Sequence, residues 1–365
     1  MKKGNNLRIS KLIAVPCILI IIVLIKIATL HPGWIEKNYS RGIYPNISWF
    51  FRTAFGWIPF SVGDILYATA GLFLVINFVK LFRKLRNGGF QKESVRKNIQ
   101  KAFFIFSIIY IYFNLSWGLN YNRPGIAYQL QLNSSKHSTR DLKLLTDTLI
   151  RKVNECRFML GPEKIKYKPY SVVFSEAQAA YRSSAIAGFS FLAYNTRSVK
   201  RSLYGRMGNF LGFLGYYNPF TGEAQLNLTM PRFLMPYVTC HEIAHQLGYA
   251  SESEANFVGY LAAIQSPDTL FHYSTYFDLF NYANSELFSK DSLAAKNNYK
   301  KLDPLVQNDV EELREYWRKS DNVIEPFIKV FYDNYLKANQ QSDGVKSYND
   351  VTGWLIAYLK KYGKL

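Results

Sequence analysis

The segment Met235–Tyr249 reads MPYVTCHEIAHQLGY, and its pattern predicts a short helix that carries two histidines. Pro236 suits the first turn of a helix, and Gly248 suits the position just after the last turn. On such a helix His241 and His245 are one turn apart and therefore share a face. Both imidazoles can then reach one Zn²⁺ ion at about 2.0–2.1 Å.

Carboxylates beside this histidine pair complete the predicted site. Glu242 adjoins the first histidine, and we expect it to accept a proton from an attacking water. Catalytic zinc commonly has three protein ligands, two His and one carboxylate among them, and keeps a fourth position open. Glu252 and Glu254 both follow closely. Because Ser251-x-x-Glu254 is also a capping box, Glu254 has a structural role open to it, and Glu252 is the favoured third ligand. Glu254 stays the alternative.

The same segment resembles the active-site helix of the zincin metallopeptidases. Uncharged residues surround the two histidines, as that pattern requires: Val238, Ile243, Ala244, Gln246 and Leu247. The run Glu252–Asn256 resembles the E-x-x-A-[DN] helix that supplies the third ligand in gluzincins, although it follows sooner than in most of them. The resemblance implies Zn²⁺ as cofactor, His241, His245 and Glu252 as its ligands, and Glu242 as the catalytic residue.

The first third of the chain has the charge pattern of a membrane anchor. Residues 1–120 contain 16 Lys and Arg against three acidic residues, in a chain of net charge +19. This excess flanks apolar runs, which argues against a nucleic-acid partner. Runs at about 12–30, 60–80 and 102–121 approach the roughly 20 residues that cross a bilayer. The second is short, so a buried amphipathic helix is its alternative. Trp117 and Tyr121 are placed like an interfacial aromatic belt.

Lys and Arg cluster before the first run and between the second and third, so both segments should face the cytoplasm. Three spans that start inside place everything after them outside the cytoplasm. Three spans followed by the histidine motif are similar to a family of membrane-anchored bacterial proteins of unknown function. We expect an anchor over 1–121 in the inner or plasma membrane, with the lipid bilayer as partner, and an extracytoplasmic zincin-like domain over 122–365.

This domain is expected to be α+β and mainly helical. A helix should run from Ser138 to Arg157, and strands are predicted at Tyr170–Phe174 and Gly222–Leu228. From Pro236 onward the pattern predicts only helices, at 236–247, 252–265, 268–289, 305–319, 322–338 and 348–362.

Other side chains are weaker candidates for the site. Glu223 offers a carboxylate to a substrate amine, with a solvated strand residue as the alternative. Tyr249, His272 and Tyr273 offer groups that could polarise a carbonyl, with simple packing as the alternative. Cys240 is a soft ligand by chemistry, but it points about 100° away from the adjacent histidine. It could instead pair with Cys156 in an oxidising compartment, although two lone cysteines carry no spacing information.

Three classes of function are compatible with these observations to different degrees. The favoured class is a membrane-anchored zinc hydrolase, a metallopeptidase that cleaves a peptide or protein substrate outside the cytoplasm. The alternative is a non-catalytic, membrane-anchored zinc-binding domain used for sensing or as a scaffold. Glu242 argues against the alternative, because a structural zinc needs no base and usually has four protein ligands. Three spans with little charge at membrane depth argue against a transporter.

Overall fold

A computed structural model describes residues 2–87, 92–132, 137–163, 165–322, 330, 334 and 350–365. The described chain is mainly helical, as predicted. Its first helices are α1 (Lys2–Thr29), α2 (Pro32–Trp34), α3 (Tyr44–Gly56), α4 (Val62–Arg86), α5 (Lys92–Ser116) and α6 (Gly125–Gln129), with a π-helix at Ile35–Ile43 between α2 and α3. There follow α7 (Thr139–Met159), α8 (Tyr170–Ile186), β1 (Val199–Arg201), α9 (Gly205–Leu211), β2 (Gly215–Asn218) and β3 (Glu223–Leu226). The last elements are α10 (Met235–Gln246), α11 (Glu252–Ala263), α12 (Thr269–Lys290), α13 (Ser292–Lys300), α14 (Pro304–Arg318) and α15 (Asp350–Tyr362).

Among the described residues, two helices are long and apolar enough to cross a membrane. They cover Val62–Lys84 in α4 and Val95–Ser116 in α5. A third candidate is the pair Ala14–Thr29 and Pro32–Gly56, which is bent by 98°. The runs predicted near 12–30, 60–80 and 102–121 therefore fall on α1, α4 and α5.

Trp117 does not face the surroundings as an aromatic belt would require. Helix α5 ends at Ser116, and Trp117 is only 5% exposed. Its indole Nε1 donates a hydrogen bond of 3.1 Å to the carbonyl oxygen of His245. Trp117 thus lies in the interior of the protein, where its indole N–H has a buried acceptor.

One predicted strand is wrong and the other is confirmed. Tyr170–Phe174 forms the first turns of helix α8 rather than a strand. Its buried residues recur with helical spacing along the whole of α8: Val173, Phe174, Ala177, Ala180, Tyr181 and Ser184. The helix-forming residues after Phe174 and the packing of this face override the β-branched pair. The strand predicted at Gly222–Leu228 is present as β3.

The three strands form a small sheet in the order β1-β3-β2. β1 runs parallel to β3, and β2 runs antiparallel to it. Both edges of β3 are therefore occupied, while β2 lies at an edge of the described sheet. Helix α10 packs on β3 and β2 and is surrounded by α8, α11 and α12. All its side chains except His241 are buried, so the histidine helix lies in the centre of the core.

The predicted helices agree with the described structure. Ser138 caps α7, where its hydroxyl accepts from the N–H of Asp141 and the Asp141 carboxylate accepts in return from the N–H of Ser138. The helices predicted from residue 236 onward correspond to α10, α11, α12, α14 and α15. The one predicted at 322–338 lies almost wholly outside the described residues. Cys156 and Cys240 are buried free thiols, so they do not pair.

Segments before residue 121 make specific polar contacts with those after it. The carboxylate of Glu223 accepts from the backbone N–H groups of Val62 (3.2 Å) and Gly63 (2.6 Å), and so caps the N-terminus of α4. At the end of α3, the carbonyl oxygens of Phe55 (3.0 Å) and Gly56 (3.1 Å) accept hydrogen bonds from the ammonium of Lys200 in β1. The end of α3 and the start of α4 are therefore both attached to the small sheet.

Candidate metal centre

Three side chains from α10 and α11 bring their ligand atoms together at one point. The Nε2 atoms of His241 and His245 are 3.2 Å apart. The Oε2 atom of Glu252 lies 3.1 Å from the first and 3.6 Å from the second. Ligands on a tetrahedral zinc with bonds of about 2.0–2.1 Å are about 3.3 Å from one another. The three atoms thus have the spacing of one face of a tetrahedral zinc site. Among the described residues, these three side chains form the group whose ligand atoms lie close enough together to hold one metal ion.

A tight turn between α10 and α11 explains the short spacing of the motif. Gly248 has a φ of +85°, and a Cβ atom there would lie 2.8 Å from the ring of Tyr44. Only glycine meets both conditions, the positive φ and the close approach. The hydroxyl of Ser251 then accepts from the N–H of Glu254 and begins α11. Glu252, the first residue of α11, is thereby folded back over the two histidines.

The second nitrogen of each histidine is held by an oxygen atom. Nδ1 of His245 is 2.7 Å from the carbonyl oxygen of Tyr249, and Nδ1 of His241 is 2.8 Å from Oδ1 of Asn256. Because a carbonyl oxygen can only accept, Nδ1 carries the proton in each ring and Nε2 is left to bind a cation. Asn256 lies one turn beyond Glu252 on α11, so both carry out their roles from one helix face.

The charges around these groups favour a cation between them. Burial by itself would lower the pKa of His241, but its hydrogen bond to Glu252 and the nearby charge of Glu242 raise that pKa to about 9. Burial would likewise raise the pKa of Glu252, yet hydrogen bonds to both histidines hold it well below its usual range. Either a proton or a metal ion satisfies this arrangement, and the two compete for the same Nε2 atoms.

Glu242 lies beside the histidines with one oxygen unused. It is buried, and its Oε2 atom has no hydrogen-bond partner within the described part of the chain. Burial raises the pKa of Glu242 to about 7, against the opposing effect of the two histidines. Gly215 of β2 makes room for it, because a Cβ atom there would lie 2.5 Å from Oε1 of Glu242. A buried carboxylate oxygen without a partner is what a site that receives a water molecule requires.

Glu254, the alternative third ligand, points elsewhere. Its Oε1 atom accepts a hydrogen bond of 2.7 Å from the backbone N–H of Ile126. It packs against Gly125, whose φ is +82° and which has no room for a side chain beside this carboxylate. The structure therefore brings Glu252, and not Glu254, to the two histidines.

The weaker candidates lie outside the cluster. Glu223 is neither solvated nor open to a substrate, because it is buried and caps α4. His272 bonds the carbonyl oxygen of Ser266, and the hydroxyl of Tyr273 bonds a carboxylate of α14. Cys240 is fully buried and does not belong to the group of three candidate ligands. Tyr249 contributes to the site only through its backbone carbonyl.

The last turn of α10 depends on residues that the sequence gives no reason to assign to the site. The hydroxyls of Ser48 and Tyr44 donate to the carbonyl oxygen of Gln246, at 2.6 Å and 3.0 Å. Trp117 donates to the carbonyl of His245. These bonds satisfy the helix-end carbonyl of Gln246 and add to the bond that the carbonyl of His245 accepts from the N–H of Gly248. Their donors stand far earlier in the chain, in the stretch predicted to be a membrane anchor, so no local pattern could reveal them.

A buried ion pair fixes the turn that follows α10. Arg123 forms two hydrogen bonds with the carboxylate of Glu36, at 2.8 Å and 3.1 Å. The same guanidinium donates to the carbonyl of Gly248 at 3.1 Å and lies over the ring of Tyr249, 4.7 Å from its centre. Because Tyr249 holds His245 through its own carbonyl, this pair positions a candidate ligand indirectly.

A protein-family model matches residues 39–356, and its description is "Protein of unknown function (DUF3810)". The chain belongs to this family. No curated protein and no solved structure matches the chain. The part shared with the DUF3810 family includes α3, α4 and α5 as well as the candidate ligands.

Proposed function

We propose that this protein is a membrane-anchored, zinc-dependent hydrolase that cleaves peptide bonds outside the cytoplasm. The observation that carries the proposal is the triangle of His241, His245 and Glu252 with the unpartnered carboxylate oxygen of Glu242 nearby. A structural zinc site is usually closed by four protein ligands and needs no free base. Three ligands and a base therefore favour catalysis over a purely structural zinc.

In this proposal each residue of the site has its own chemical role. A zinc ion on the three ligands would polarise the substrate carbonyl and make water more acidic. Glu242 would take the proton from the attacking water and return it to the leaving nitrogen. Asn256 and Tyr249 keep the histidine rings oriented by accepting from their Nδ1 atoms. Because Glu242 is buried, bulk water does not compete for its free oxygen.

The position of β2 supports a peptide as the substrate class. β2 lies at an edge of the described sheet, and its first residue, Gly215, packs against the carboxylate of Glu242. An edge strand offers backbone N–H and C=O groups that can pair with an extended peptide. β3 cannot serve this purpose, since both of its edges are already paired.

The proposal is tested with the full chain in lipid nanodiscs, because a fragment that starts at residue 122 would lack Tyr44, Ser48 and Trp117. We expect the zinc-loaded protein to cleave members of a peptide library, with products detected by mass spectrometry. A chelator should stop cleavage, and added zinc should restore it. If the protein holds zinc firmly yet cleaves no peptide, the non-catalytic sensing or scaffold domain becomes the better explanation.

The extracytoplasmic location of the site is a separate expectation. It rests on the Lys and Arg clusters at residues 1–11 and 83–101, which favour the cytoplasm. Alkaline phosphatase, which is active only after export, should be active when fused after Leu365. A fluorescent protein that folds only in the cytoplasm should stay dark at the same position. The reverse pair of results would place the site in the cytoplasm and contradict the proposed location.

A further inference from the structure

Helix α3 has its polar and apolar faces in the reverse of the usual order. Tyr44, Ser48 and Arg52 are spaced four residues apart and buried against the rest of the protein. Trp49 and Phe50, on the other side, are 54% and 60% exposed. A helix in water places its apolar stripe toward the core and its polar residues outward. α3 does the opposite, so its outer face is not adapted to water.

Charge is absent from this outer face. Residues 42–63 contain one charged residue, Arg52, and its side chain is buried. Its guanidinium donates to the carbonyl of Thr196 at 2.7 Å and lies 4.7 Å from the ring centre of Tyr194. Two further large apolar side chains are exposed just after the helix, Trp57 at 78% and Phe60 at 46%. Exposed apolar surface of this extent marks contact with a partner or a membrane.

The segments on either side of α3 indicate that the partner of its outer face is the membrane. The chain bends by 98° between Ala14–Thr29 and the segment that contains α3. Only a few residues after α3, at Val62, it enters α4, whose most apolar 18-residue window has no buried residue. Because the segment is nearly perpendicular to Ala14–Thr29, it follows the plane of the bilayer surface when Ala14–Thr29 crosses the bilayer, and tryptophan is enriched at that surface.

An apolar cavity beneath α3 supports the same conclusion. It has a volume of about 530 Å³ and lies between α1, α3 and α5. Ile47 and Phe51 of α3 line it together with Ile108 and Ile111 of α5. Since its walls come from candidate spans, acyl chains are the apolar material available to fill it.

We propose that α3 is an interfacial helix, with Trp49, Phe50 and Trp57 in the lipid headgroup region and acyl chains in the cavity beneath it. This rests on the membrane insertion proposed above. The opposite face of α3 bonds the carbonyl oxygen of Gln246 in the last turn of α10. The helix that carries His241 and His245 is therefore held directly against an element embedded in the bilayer surface.

The test measures tryptophan emission from the full chain in phosphatidylcholine vesicles with and without bromine on the acyl chains. Bromine quenches only nearby indoles. In a Trp34→Phe background, adding Trp49→Phe and Trp57→Phe should remove most of the quenchable emission. The matched control, Trp317→Phe on α14, should leave the quenched emission unchanged. Circular dichroism and zinc content of each variant show that the fold is kept.

Two results would overturn the proposal. If the quenched emission is the same with and without Trp49 and Trp57, α3 does not contact lipid. If lipid does not quench these residues and the solubilised protein is a dimer that Phe50→Asp dissociates, the outer face of α3 contacts a second copy instead. Neither measurement depends on hydrolysis, so failure here leaves the proposed activity to its own test.

Discussion

Glu242→Gln should leave the protein folded and loaded with zinc but should slow peptide hydrolysis by about 10²–10⁴-fold, the usual contribution of a general base. Glutamine keeps the size of the side chain and fits beside Gly215, but its amide cannot take a proton from water as a carboxylate does. The three candidate ligands are untouched. The rate is measured on a peptide identified from the library, with zinc content and thermal unfolding determined on the same sample.

The matched control for Glu242→Gln is Glu254→Gln, which makes the same change in a buried carboxylate that bonds Ile126 outside the cluster. It should retain most of the hydrolytic rate. If Glu242→Gln loses zinc or unfolds, Glu242 has a structural role and the proposed mechanism is wrong. If it hydrolyses as fast as the unaltered protein, the non-catalytic zinc-binding domain is the better account.

His241→Ala and His245→Ala should each abolish stoichiometric zinc binding. The unaltered chain is expected to hold one zinc ion, because the described residues bring one set of three ligand atoms together. Removal of either imidazole leaves two protein ligands, fewer than the three or four that zinc sites use. The measurement is metal content by mass spectrometry after exhaustive dialysis of the full chain.

Two carboxylate variants make this experiment specific. Glu252→Gln should weaken zinc binding strongly, since its Oε2 atom lies 3.1 Å from Nε2 of His241. Glu254→Gln should have little effect on zinc. The opposite ranking would transfer the role of third ligand to Glu254, and full zinc content in a double histidine variant would exclude the site altogether.

The segment predicted to be a membrane anchor makes direct contacts with the candidate metal site. Ser48 and Trp117 bond the last carbonyls of α10, and the Arg123–Glu36 pair holds the turn that positions His245. The family match, which begins at residue 39, spans Ser48, Trp117 and Arg123 together with the candidate ligands, and Glu36 lies just before it. The segment predicted to be a membrane anchor therefore supports the candidate site directly, and variants of either should be studied in the full chain.

What the sequence alone determined is what local patterns encode. Helical spacing and the flanking Pro236 and Gly248 predicted α10 and the shared face of His241 and His245, because these depend on residues within one or two turns. Apolar run lengths likewise located two candidate spans on α4 and α5, although the one on α5 begins at Val95, seven residues before the predicted start.

Tertiary structure decided the rest, because it depends on contacts between distant parts of the chain. The capping-box pattern favoured Glu252 over Glu254 but left Glu254 as an alternative, and the bond from the N–H of Ile126 to Glu254 is what places Glu254 away from the histidines. YSVVF has strand propensity, but burial of one helical face made it the start of α8. The capping role of Glu223 required α4 to arrive at β3, and the outward apolar face of α3 becomes visible only once Arg52 is seen to be buried. Side-chain partners more than a hundred residues apart leave no periodic signal in the sequence, so only the folded chain could identify them.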